Sequence, residues 1–85
     1  MTNIAPLIRN RDEAKVLQEK ASAAYQKANR RYWSVTHGKF FTLEKHREVE
    51  AVLLSARKAE EEAIKNLLRA EYTLEKALGS LTQRA

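Results

Sequence analysis

The chain has 85 residues, no cysteine, one proline and two glycines, and it carries a net charge of +5 with 32% of its residues charged. That is one domain, near the size at which a single core struggles to offset chain entropy; it excludes disulfides, thiolate zinc sites and cysteine nucleophiles. The longest apolar run, residues 51–54, is far short of the ~20 residues of a membrane span. Residues 1–6 lack the basic stretch and apolar core of a signal peptide, so a cytoplasmic protein is expected.

Taken in order, residues 1–9 read as an N-terminal arm, although Pro6 would suit the first turn of a helix. A better helix start follows, with Asn10 as cap, Glu13 reaching back and acidic residues at the positive end of the dipole. This first helix is expected over 10–37. Ala14, Leu17, Ala21, Ala24, Ala28 and Val35 follow a 3-4 spacing that Arg31 breaks, while Tyr25 and Tyr32 widen the stripe. Gly38 supplies a left-handed stop, and 38–41 forms the turn. Thr42 then caps a second helix over 42–78, with Glu44 in its first turn and Phe41 placed to staple the chain against it. Gly79 ends that helix, and 79–85 reads as a frayed tail.

The second helix carries the strongest pattern. Val49, Leu53, Ala56, Glu60, Ala63, Leu67, Ala70, Leu74, Ala77 and Leu81 hold a 3.5-residue period with one polar member, the seam of a long coiled-coil helix. Alanine every seventh residue lets a partner backbone approach closely. The short turn makes the two helices antiparallel. Pairing Val35 with Thr42, Ala28 with Val49, Ala24 with Leu53, Ala21 with Ala56 and Ala14 with Ala63 keeps the spacings in step. In this register Arg31 faces His46 and Leu17 faces Glu60. The expected fold is therefore all-α, an antiparallel helical hairpin of coiled-coil type.

A hairpin alone leaves much of the apolar surface wet. The second helix outruns the first, so Tyr72, Leu74, Leu78 and Leu81 lack cover, and Leu54, Ile64 and Leu68 lie beside the seam. These seven residues are expected to drive self-association, in the simplest case into a dimeric four-helix bundle.

Charge is unevenly spread. Of the 16 Lys and Arg and the 11 Asp and Glu, six basic residues and Glu44 alone fall between Lys27 and Arg47, so the whole excess sits there. Tyr25, Tyr32, Trp33, Phe40 and Phe41 occupy the same region. Doubling the chain near residue 38 gathers these groups at one pole. Lys27, Arg30, Arg31, Trp33, Lys39, Phe40, Lys45 and Arg47 are thus the candidate partner-binding residues. Arg and Trp are frequent interface hot spots, and the same groups could hold phosphates and stack on bases. The competing interpretation is that the aromatics only close the end of the bundle.

Other chemistry finds little footing. His37 and His46 with Glu44, Glu48 and Glu50 could suggest zinc, but no histidine pair has i, i+3 or i+4 spacing. No cofactor or metal is expected. Neither a glycine-rich phosphate loop nor a nucleophile–base pair is present, so no enzymatic activity is expected. No helix face is basic along its length, which argues against a lipid surface. Glu60 stands apart as a carboxylate on the seam, with Gln18 and Lys20 as candidate neighbours, and would fix register at a cost in stability. The sequence thus leads to a small adaptor or regulator that binds a protein of unknown identity through the pole and pairs with itself. A nucleic-acid binder using the same pole, or a purely structural subunit, is the alternative.

Overall fold

The computed structural model describes residues 3–83, with side chains described as far as Ser80. Two helices, α1 (Ala5–Thr36) and α2 (Leu43–Gln83), lie antiparallel as a rod whose Cα atoms span 66 × 14 × 13 Å. Among the described residues there is no strand. None of the described helices is long and apolar enough to cross a membrane.

α1 begins earlier than residue 10. Asn3 Oδ1 accepts the Ala5 backbone N–H at 3.1 Å, and Pro6 occupies the first turn, where its missing N–H is no loss. Asn10 and Glu13 are consequently interior helix residues. The extra turn brings cover to the far end of α2: Leu74 is only 5% exposed, and Ala77 is half-buried. α2 likewise runs on through Gly79, which lies in the helix with open space where a Cβ would be. Its helical neighbours hold the backbone there despite the entropic cost of glycine.

The seam of α2 lies where the 3.5-residue period puts it. From Val49 to Ala77 each of its members is buried or half-buried, and the residues between them are exposed. The seam of α1 is rotated from its expected position. Leu17 is 60% exposed, and Ala24 and Arg31 are exposed. Their neighbours Gln18, Tyr25 and Tyr32 turn inward, joining Arg11, Ala14, Ala21, Ala28 and Val35. Both sets satisfy a 3-4 spacing. The inward set wins because two tyrosine rings bury far more apolar area than Ala24 and Arg31. Arg31 therefore does not face His46; Tyr32 does, with its hydroxyl 3.3 Å from His46 Nε2. Carried along the rod in heptads, this contact sets Gln18, not Leu17, level with Glu60.

The core is thin. Only Ala28, Val49 and Leu74 are buried among the described residues, and no side chain is fully enclosed. The chain exposes 7073 Å², where a compact monomer of its 9.8 kDa would expose about 5,200 Å².

Candidate interaction site at the bend

The bend is held by backbone and side-chain caps. Thr36 Oγ1 donates to the carbonyl of Tyr32 at 2.8 Å, and the His37 N–H donates to the carbonyl of Trp33 at 3.1 Å. Gly38 follows, donating to Val35 O at 3.2 Å. It does not adopt a left-handed conformation, since no described glycine has positive φ. Its lack of a side chain matters for closeness instead: a Cβ would meet Ser34 O at 3.2 Å and Val35 O at 3.4 Å. On the other side Thr42 Oγ1 accepts the Lys45 N–H at 3.2 Å, the cap of α2. Phe41 packs edge-on against His46 with centroids 5.6 Å apart, which is the staple contact between the residue before the cap and the fourth helical residue.

The aromatic residues divide into two groups. Tyr32 and Phe41 converge on His46, whose Nδ1 also lies 3.5 Å from Glu50 Oε2. This cluster closes the end of the seam. Trp33 and Phe40 do not join it: they are 56% and 81% exposed. Trp33 carries the His37 ring stacked on one face, with centroids 4.7 Å apart and planes 29° apart. The four-residue spacing of Trp33 and His37 on one helix face was the sequence signal for that stack.

The cations are exposed as well. Lys27, Arg30, Arg31, Lys39, Lys45 and Arg47 all face solvent. None of them belongs to an ion pair among the described residues, where the pairs are Arg11–Asp12, His46–Glu50 and Arg57–Glu61. Lys27, Arg30 and Trp33 follow one another up the outer side of α1, while Lys39 and Phe40 project from the bend itself. Lys27 stands about 14 Å below the end of α1, at 1.5 Å per residue. The pole thus presents uncompensated positive charge around two open aromatic rings, with no bonds joining the cations to one another.

Among the described residues no three His, Asp or Glu side chains are grouped to hold a metal ion. Of the residues expected to mediate self-association, Leu54, Ile64, Leu68 and Tyr72 are exposed by 39% to 65% and Leu78 by 42%. Leu74 is spent inside the hairpin and is not available to a second chain. The Leu81 side chain lies outside the described residues. No protein family, characterised protein or solved structure matches the chain.

Proposed function

We propose that this chain is a non-enzymatic macromolecule-binding module, a helical rod that regulates or scaffolds a protein partner through its basic, aromatic bend and associates with its own copies, most simply as a dimeric four-helix bundle. The observation that carries the first part is the exposure of Phe40 and Trp33 beside six cations that lack counter-charges. Neither ring contributes to the core, so folding gives no reason to keep them; aromatic rings beside arginine are the usual anchors of protein interfaces. A protein is favoured over a nucleic acid because the net charge of +5 is modest and His37 already covers one of the two faces of the Trp33 indole on which a base could stack. Self-association is supported by the surplus of roughly 1,900 Å² over a compact monomer of this mass.

The test compares what co-purifies with the wild-type chain and with a Trp33→Ala/Arg30→Ala variant. Loss of a specific protein from the variant, with helicity and oligomeric state unchanged, supports the reading. An identical set of partners from both chains overturns it. Binding of nucleic acid, lost steeply between 50 and 200 mM salt in the manner of counterion release, would replace the protein partner with a nucleic-acid one.

A further inference from the structure

The two broad faces of the hairpin differ in charge. On both helices the seam alternates larger residues with small ones, the small set being chiefly alanine: Ala14, Ala21 and Ala28 on α1, and Ala56, Ala63 and Ala70 on α2. The face beside the larger set carries Lys15, Glu50, Arg57 and Glu71. On the other face, the positions that directly flank the alanines carry no charge between the bend and the far end, and Glu62 stands one heptad position further out. These flanking residues on α1 are Asn3, Asn10, Leu17 and Ala24; on α2 they are Val52, Ala59, Asn66 and Thr73, all exposed. Only at the bend do Arg31 and Lys45 interrupt the series. A groove of about 360 Å³ opens in this face between Leu17 and Ala59, floored by Ala14, Ala21 and Ala63, with Glu62 and Asn66 completing its lining. Flanking positions of a two-helix coil face water and commonly hold Glu and Lys. Leu17 and Ala24 on α1 and Val52 and Ala59 on α2 add a third apolar position to consecutive heptads, the wider stripe of a helix that packs against more than one neighbour.

We propose that a second copy of this chain covers the alanine face, the two hairpins stacking antiparallel about a two-fold axis so that the assembled rod carries one basic, aromatic pole at each end. The proposal rests on the self-association reading above and not on what the bend binds. Three observations select a second copy in this orientation. A face of 66 by 14 Å offers about 900 Å², against the ~800 Å² per partner of a standard stable interface. The opposite face is a poorer match, because Leu54, Ile64 and Leu68 alternate there with Arg57, Glu61 and Glu71, charges that tight packing would strip of water. Finally, parallel stacking would place two poles, each holding the whole charge excess, within a Debye length of about 8 Å. Antiparallel stacking separates them, and it pairs charges along the margin. Glu48 and Lys76 lie two heptads on either side of Glu62, near the middle of α2. A two-fold axis at that level sets Lys76 of each copy beside Glu48 of the other, two attractive pairs that offset the approach of the two Glu62 side chains at the axis itself.

The test uses the full chain in sedimentation equilibrium. The wild type is expected to be a dimer at micromolar concentration; Leu17→Glu and Ala59→Glu are each expected to weaken it at least tenfold, and Leu68→Glu to leave it intact. Circular dichroism verifies that each variant remains helical. The chain has no cysteine, so Lys39→Cys accepts a single spin label independently of those variants. At 1.5 Å per residue the label sits about 35 Å from an axis at Glu62, so dipolar spectroscopy should report a separation of about 70 Å. A monomeric wild type, dissociation by Leu68→Glu but not by Ala59→Glu, assembly beyond the dimer, or labels within about 25 Å would each overturn the proposal. If the dimer forms as stated while Trp33→Ala/Arg30→Ala keeps its partners, the assignment of the bend fails and this one stands.

Discussion

Tyr32 and His46 meet across the end of the hairpin, the tyrosine hydroxyl 3.3 Å from His46 Nε2 and the ring centroids 5.7 Å apart. This contact links the last turn of α1 to the first turn of α2 and fixes the register of everything below it. His46 is the hub, since Phe41 packs on its ring and Glu50 approaches its Nδ1. His46→Ala is expected to lower unfolding free energy by about 2 kcal/mol, and Tyr32→Phe, which keeps the ring, by about 1 kcal/mol. Arg31→Ala should change stability by less than about 0.5 kcal/mol. Urea titrations of the three variants check the order; an Arg31 effect as large as that of His46 would return Arg31 to the seam.

Leu74 and Tyr72, two residues apart on α2, are 5% and 65% exposed. Truncating the first opens a cavity against α1, while truncating the second removes mostly wetted surface. Leu74→Ala is expected to cost about 3 kcal/mol and Tyr72→Ala less than about 1 kcal/mol. Equal losses would mean that the first turn of α1 does not cover the far end of the rod.

These contrasts show what the sequence makes legible. The α2 seam could be read residue by residue because leucine and alanine alternate over many heptads and no rival stripe competes. The α1 stripe was ambiguous by one residue in every heptad. Ala14, Ala21, Ala28 and Val35 belong to both solutions, and only the facing helix decides whether Leu17 or Gln18, Ala24 or Tyr25, completes them. The capping pattern at Asn10 was locally sound, yet burial of α1 against Leu74 and Ala77 outweighs it. For the bend, charge and aromatic content were visible in the sequence. The division of its rings, Tyr32 and Phe41 inward and Trp33 and Phe40 outward, depends on where His46 falls in three dimensions.

The two glycines make a paired test. Gly79 is exposed in the helix, and a Cβ there meets nothing within 4 Å; Gly79→Ala should therefore stabilise the chain by about 0.5–1 kcal/mol through helix propensity and a less flexible unfolded state. Gly38→Ala makes a similar gain in the unfolded state but drives a methyl group toward Ser34 O and Val35 O. Its net effect should be smaller than that of Gly79→Ala, or of opposite sign. Thermal unfolding monitored by circular dichroism reads both. A more stabilising Gly38→Ala would show that the bend relaxes without cost.

Glu60 gives the most revealing substitution. It is half-buried on the seam and has neither a hydrogen bond nor an ion pair among the described residues. Level with it, Gln18 directs its amide along its own helix to Ser22 Oγ at 2.8 Å, and Lys20 makes no bridge to it. The carboxylate thus loses part of its hydration with little return. Leucine at this site would bury apolar surface and remove that penalty, so Glu60→Leu is expected to raise unfolding free energy by about 1–2 kcal/mol. The same change makes leucine recur at 53, 60, 67 and 74 without interruption. A seven-residue slip of α1 along α2 then costs less, because no carboxylate is carried against a different neighbour. The expected result is a higher melting temperature together with doubled or broadened amide resonances. A lower melting temperature would show that Glu60 is stabilising where it stands, and a higher one with a single sharp set of resonances would show that the Tyr32–His46 contact alone suffices to hold the register.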